Sequence, residues 1–427
     1  MNKKLGAISA ALLLSALAGL SAWDLGGTLD NATTLTHAGD LIFLQEDKLA
    51  LWYETPLGRS LSVALQGSYT YSSERPYLFD IDFLTLAGSF PLAGNRASQL
   101  SFTAGRFALA ESSRQVLDAT VDGAQVSWRG SRLNASLAAA FTGLQLTPVS
   151  PVSMSWADIN STSLLASPRL LEALELRFPE LFKRQDLVVS VLAQQDLRSQ
   201  ALLLQAGDTV EVAGQGGRLS TEYLGAALRG PLGSLFYYDA FAYLGTGRML
   251  SYIDGAYSYE WMLTALAGGG LRYFREQWLH SRAELRFLLA SGDADFADFF
   301  VEGNRDGLAT TFVAISRQDL ALLFSPRLGN LALFVLAYSI KPIEILQTGL
   351  TATLFLRPTT GPISDSRVDP ASDSAYLGSE IDATVNLRPF SDLGAVLSLG
   401  LFLPGGAFRA SEQDPQFRGK LEISLSF

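Results

Sequence analysis

The stretch GKLEISLSF (residues 419–427) alternates without a break: Leu421, Ile423, Leu425 and Phe427 are apolar, while Lys420, Glu422, Ser424 and Ser426 between them are polar. Successive side chains of a strand point to opposite faces, so this pattern describes a strand with one greasy and one wet side. Terminal residues of soluble domains usually fray and are polar. Here the terminal strand reads as part of the structure, and it needs a partner to keep it from fraying.

The other end, MNKKLGAISAALLLSALAGLSAWDLGG (residues 1–27), has a short basic region at Lys3 and Lys4, an apolar core from Leu5 to Leu20, and small residues around Ala18 and Ala22. That is the pattern of a secretory signal peptide, expected over residues 1–22 with the mature protein running from 23 to 427. A membrane anchor needs roughly 20 apolar residues, more than this run supplies. The chain has no cysteine, which removes disulfides, thiolate metal sites and a cysteine nucleophile. Its formal charge is −10, and loss of the leader's two lysines makes it more acidic still. An acidic exported chain has no electrostatic basis for binding nucleic acid.

The chain is 48% apolar and 11% aromatic, with a mean hydropathy of +0.20, yet no apolar run beyond residue 23 is long enough for a membrane helix. Its apolarity is distributed over short alternating segments. A membrane-spanning strand needs only about 9–11 residues, with one face to lipid and the other to a lumen. Hydrocarbon offers no partner to an unpaired backbone group, so such a sheet must close on itself. The expected fold is therefore an all-β, antiparallel transmembrane barrel. A soluble sandwich or solenoid would show a short fixed repeat or one continuous apolar core, and no such repeat is found.

Clear alternation occurs at Leu61–Tyr71, Leu133–Phe141, Leu279–Leu289 and Ile381–Leu387. In the last two segments the intervening residues are charged, which suits a water-filled lumen better than a protein core. Short Gly-, Pro-, Asn- or Asp-bearing connections (55–58, 91–95, 129–131, 229–233, 389–394) alternate roughly with long polar ones (143–167, 198–216, 291–327, 358–375, 404–416). Eighteen strands are expected, an even number that leaves both termini on the periplasmic side. The second is placed at 47–56 after a loop containing His37. The stretch ISRQDLALLF (315–324) also reads as a strand of its own, so a count of 16 stays open.

Three stretches resemble outer-membrane porins, most of all the 18-stranded alginate-export type. TAGRF (103–107) followed by DGAQVSW (122–128) is similar to a G-R…D-G-A arrangement in porins. YLGSEIDATVNLRP (376–389) leading into GLFLPGGAF (400–408) resembles that family's G-x-E-x-D strand and F-x-P-G-x-x-F strand-loop. The closing Leu421, Ile423, Leu425 and Phe427 resemble the terminal signal read by the outer-membrane assembly machinery. These motifs cover about a tenth of the chain. The resemblance implies an integral outer-membrane porin, handled by periplasmic chaperones and that machinery and embedded in outer-membrane lipid and lipopolysaccharide or glycolipid. It would pass small hydrophilic solutes or export a polymer. Exporters of an anionic polysaccharide are expected to line the pore with basic residues. Here the charges are mixed, so that substrate does not carry over. Long-chain fatty-acid transporters are similar in size, but LDNATTLTHAGD (29–40) lacks their Asn-Pro-Ala motif. A transporter for hydrophobic compounds and a surface adhesin or structural barrel remain the alternatives.

A barrel of 16–18 strands is too wide for side chains to fill, so an aqueous channel is expected unless a loop folds inward, and 143–167 and 291–327 are the candidates. Selectivity would follow from pore width and lining charge. Alternation nominates Arg106, Arg282, Glu284, Arg286, Glu380, Asp382 and Arg388 as pore-lining residues. No enzymatic role is expected: His37 and His280 are the only histidines, and no Gly-x-Ser-x-Gly elbow accompanies them. No cofactor or metal site is assigned. The loop 291–307 clusters Asp293, Asp295, Asp298, Glu302 and Asp306, residue types that favour calcium, but without the EF-hand spacing.

Overall fold

A computed structural model describes residues 23–92, 98–199, 203, 205–208, 217–294 and 308–427. The leader expected over 1–22 lies outside them. So does most of the acidic loop: of its five carboxylates only Asp293 is described, and it accepts hydrogen bonds from the Thr310 amide (2.9 Å) and hydroxyl (3.1 Å).

Eighteen strands run in chain order: β1 (Asp24–Ala38), β2 (Asp40–Pro56), β3 (Leu61–Ser72), β4 (Leu78–Pro91), β5 (Gln99–Ala110), β6 (Asp118–Arg129), β7 (Asn134–Phe141), β8 (Arg169–Phe182) and β9 (Gln185–Asp196). They continue as β10 (Ser220–Leu232), β11 (Phe236–Ile253), β12 (Ala256–Arg275), β13 (Ser281–Ala290), β14 (Leu331–Ile343), β15 (Leu346–Leu356), β16 (Tyr376–Leu387), β17 (Leu393–Pro404) and β18 (Gln416–Ser426). Each pairs antiparallel with its chain neighbours, and β18 pairs with β1 from Ser426↔Thr28 to Phe417↔His37. The sheet therefore closes, as the alternation requires. At the seam Gly27 and Phe427 exchange two backbone hydrogen bonds (2.9 and 3.0 Å). A Cβ on Gly27 would sit 2.6 Å from the Phe427 ring, so the glycine makes room for the terminal aromatic.

The register fixes which side of each strand meets lipid. Leu421, Ile423 and Leu425 are each about 40% exposed, and they lie in one outward band with Leu29 on β1 and Leu397 and Leu399 on β17. One end of the barrel carries short turns together with Trp23 and Phe427, and the other carries the long connections. Two strand assignments change. His37 belongs to β1, and β2 begins at Asp40, because the two strands turn through Gly39 (φ 84°) instead of parting into a loop. Residues 315–324 are not a wall strand; their only bridge joins Ser316 to Val152. Among the described residues, no helix is long and apolar enough to cross a membrane.

Inside the barrel, the buried apolar residues form a cluster between the inner wall and the connections 111–117, 142–168, 308–330, 357–375 and 405–415. Leu117, Met154 and Phe312 are essentially unexposed. The lumen is thus partly filled by backbone that is not strand, a situation tolerated in a membrane only where each polar group finds a partner.

Candidate functional site: a loop-crossed lumen

Glu111, at the end of β5, holds the first connection. Its carboxylate accepts hydrogen bonds from the amides of Gln115 (2.8 Å) and Val116 (3.0 Å) and from the hydroxyl of Tyr243 on β11 (2.5 Å). The third connection is then laid along that edge. Tyr223 donates to the Val313 carbonyl, the Ile315 amide donates to Val116 (2.9 Å), and the Arg317 amide donates to Pro151 in the second connection (3.0 Å).

From Arg317 the chain leaves the β5–β7 side and reaches β16–β18. There Glu380 accepts hydrogen bonds from the amides of Leu323 (2.6 Å) and Phe324 (2.8 Å), and Arg418 donates to the Leu322 carbonyl. Phe324 stacks on Phe402 (4.7 Å between centroids) and packs against Phe355 (4.9 Å) and Phe408 (5.6 Å). Returning, Arg327 donates to the carbonyl and hydroxyl of Ser153. The segment 317–327 is therefore a strap across the lumen, fixed at both sides by charge-assisted hydrogen bonds.

On one side of the strap lies a cavity of about 740 Å³, between it and the β1–β2–β18 wall. Arg317, Arg327, Arg367, Arg418 and Lys420 border it, against Asp319 and Asp365. Several cations are braced: Arg367 forks onto Asp365 (2.6 Å) and Arg418 donates to Thr36 (3.0 Å). Burial, then repulsion from Arg317, lowers the Arg327 guanidinium to about 10, which leaves it charged at neutral pH. A smaller cavity of about 140 Å³ lies toward β11–β14, and Asp319 borders both. Beside it, Arg272 pairs with Asp239 (3.0 Å) and Glu284 (3.3 Å).

The structure places the sequence-nominated residues in three settings. Arg282, Glu284 and Arg286 share the inward side of β13, opposite the exposed Leu285 and Phe287; Glu284 binds Arg282 and lies 3.5 Å from Arg286. Glu380 and Asp382 share the inward side of β16, where Glu380 is fully buried as the strap's anchor instead of an open lining charge. Arg388 lies past the end of β16, exposed in a short turn.

Arg106 is a correction. Its register partner on β4 is the outward Leu84, and Phe102 and Ala104 precede it on the same face. β4–β5 pairing begins only at that pair, and the Ile81 carbonyl lies beyond it. Arg106 donates to that carbonyl (2.9 Å) and also binds Asp122 (2.9 Å), Asp80 (3.4 Å) and the Leu144 carbonyl (2.9 Å). It closes a split in the wall. Gly105 (φ 110°) permits the local turn, since a Cβ there would meet the Leu84 carbonyl at 2.1 Å.

The motif stretches take on physical roles. Arg106 and Asp122 form the wall clasp. Glu380 caps the strap, and Phe402 and Phe408 flank Phe324. The cavity-bordering Arg317, Asp319, Arg327, Asp365 and Arg367 were missed because they lie on connections, where alternation gives no side. Arg418 and Lys420 are likewise absent from the nominated residues, although their place on the wet face of the terminal strand was a signal that could have found them. The two histidines lie at opposite ends of the barrel, His37 near the long connections and His280 in a short turn.

No family model matches this chain, and no curated protein is similar to it. Solved structures are. OccK5 (OpdH) of Pseudomonas aeruginosa is 9% identical with a TM-score of 0.58, over 96% of this chain and 98% of that one. The outer membrane protein opdK of the same organism is 11% identical with a TM-score of 0.57, over 96% and 99%. OccK11 (OpdR) is 11% identical with a TM-score of 0.56, over 96% of each. The likeness at these identities is one of fold: an 18-stranded barrel, end to end.

Proposed function

We propose that the chain is an outer-membrane channel passing small hydrophilic solutes, with anions favoured over cations. The observation that carries this is the 740 Å³ cavity bordered by five basic and two acidic side chains, inside a closed barrel with an apolar exterior. A cavity of that volume suits a small molecule, and a strap across the lumen suits a small solute better than a polymer. The polar lining argues against a hydrophobic cargo. The short-turn end with both termini would face the periplasm, reached after export and assembly by chaperones and the barrel machinery, with lipopolysaccharide or glycolipid at the outer rim.

Purified protein in a planar bilayer is expected to show stepwise conductance, and a salt gradient should give an anion-selective reversal potential. Arg317→Glu with Lys420→Glu should move that potential toward cations. Arg282→Glu with Arg286→Glu should act in the same direction, because those residues line the inner face of β13. Absence of conductance, with a hydrophobic compound copurifying instead, would replace the proposal with lipid transport.

A further inference from the structure

The outward side of β2 reads Leu41, Phe43, Gln45, Asp47, Leu49, Leu51, Tyr53, so two polar residues interrupt the apolar file. They face Thr33 and Asn31 on β1, which in turn lie beside Leu421 and Ile423 in the middle of the outward file of β18. This polar quartet is therefore within the lipid-facing band, with exposed Leu29 and Leu49 on one side and Leu35 and Phe43 on the other. Asn31 donates to Asp47 (2.6 Å), Thr33 to Gln45 (2.8 Å), and Gln45 to Asp47 (3.3 Å). These bonds use one Asp47 oxygen and one hydrogen of each amide. Among the described residues, no Lys or Arg lies within ion-pair distance of Asp47. Lipid chains offer no partner for the remaining donors and acceptor, and polar groups facing lipid at this depth are costly.

We infer that this face is where two copies of the chain associate. The quartet presents both amide donors and a carboxylate acceptor, so it is complementary to itself under a two-fold rotation, as an isologous interface requires. The surface beside it fits the same operator. An outward hollow of about 540 Å³, lined by Leu49, Leu51, Leu65, Tyr69 and Phe79 around Gly67, lies on the β3–β4 side. A two-fold axis along the membrane normal through Asn31 and Asp47 carries that hollow onto the partner's β17–β18 face, with its ridge of Leu399, Leu421 and Ile423. Interhelical experience with polar contacts in membranes shows that side-chain hydrogen bonds stabilise association there.

The absence of native cysteine makes the test direct. Asp47→Cys, oxidised in membranes, is expected to give a disulfide-linked species of twice the chain mass. Leu244→Cys, exposed on β11 nine strands away, should give several-fold less. In mild detergent the unsubstituted protein should have the mass of two chains, and the Asn31→Leu, Thr33→Leu, Gln45→Leu, Asp47→Leu variant the mass of one while remaining a folded barrel. A one-chain mass for the unsubstituted protein, with no Asp47→Cys product above the Leu244→Cys level, overturns the inference. A bound glycolipid on a one-chain species would assign the patch to lipid and overturn it equally.

Discussion

Replacing residues 317–326 with a glycine–serine linker of equal length is expected to raise single-channel conductance several-fold and to weaken anion preference. The strap takes its position from a few contacts: two amides on Glu380, the Leu322 carbonyl on Arg418, and Phe324 among three rings. A glycine–serine segment keeps those backbone groups but loses the Phe324 ring from its three-ring nest and is costlier to hold in one conformation, so it does not stay across the lumen, and an 18-stranded wall by itself encloses an open water channel. Arg317 and Asp319, which border the cavity, leave with it as one charge of each sign, so any anion preference then rests on the wall charges acting across a wider opening. The milder Glu380→Gln separates the two effects. It keeps the lining charges on the strap but weakens a charge-assisted anchor, so it should add current fluctuations while keeping ion preference. Conductance and noise in a planar bilayer read both variants; an unchanged conductance after linker replacement would show that the strap does not set the pore.

Arg169→Leu is expected to release the short helix α1 (Trp156–Ile159) and its flanks from the wall. Arg169 and Arg198 share Asp158 and Asp196 in a network that is almost wholly buried: Arg169–Asp158 is 2.8 Å, Arg198–Asp158 3.5 Å, and Arg169–Asp196 3.6 Å. Removing Arg169 leaves two buried carboxylates to share Arg198, one negative charge in excess, where breaking a buried pair costs about 3–5 kcal/mol. Amide exchange across residues 153–160 should then rise sharply while exchange in the strands does not change. Asp158→Asn together with Arg169→Leu should recover part of the protection, since it removes one orphaned charge.

The same network sets a pH dependence. Burial by itself would raise the Asp158 carboxyl, but attraction to Arg169 and then Arg198 outweighs it and holds the group at about 2. A carboxyl depressed on folding stabilises the native loop fully above its unfolded value of about 4, and that stability is lost as pH falls toward 2. Protection of 153–160, corrected for intrinsic exchange, should hold from neutral pH to about 4 and decline below it. A decline that begins at pH 6 would point to another group.

How much of this was legible in the sequence follows from periodicity. A side-chain period of two assigns inside and outside wherever the chain is in the wall, which is why Arg282, Glu284, Arg286, Arg418 and Lys420 fall on the wet side as alternation says. It also gave an expected count of 18, with 16 left open by residues 315–324, because apolar stretches bounded by turn residues mark each crossing. The same logic misplaced Arg106. Alternation takes a charged residue in a strand to face water, but the β4–β5 ladder ends beside it, and the Ile81 carbonyl with the Asp122 and Asp80 carboxylates takes the guanidinium instead. Residues 315–324 have strand-like spacing, yet their amides go to Val116, Pro151 and the Glu380 side chain.

By itself, then, the sequence determined a closed antiparallel sheet with a greasy outer surface and a wet interior, since alternation and the cost of unpaired backbone in hydrocarbon leave no other arrangement. Only the tertiary structure decided how far that interior is open. The strap's position depends on partners more than 50 residues away in sequence, Glu380 and Arg418 among them, and contacts at that separation leave no trace in any local pattern. The polar quartet on the outer face became visible for the same reason: its residues are ordinary one by one, and only the registers of β18, β1 and β2 bring them together against lipid.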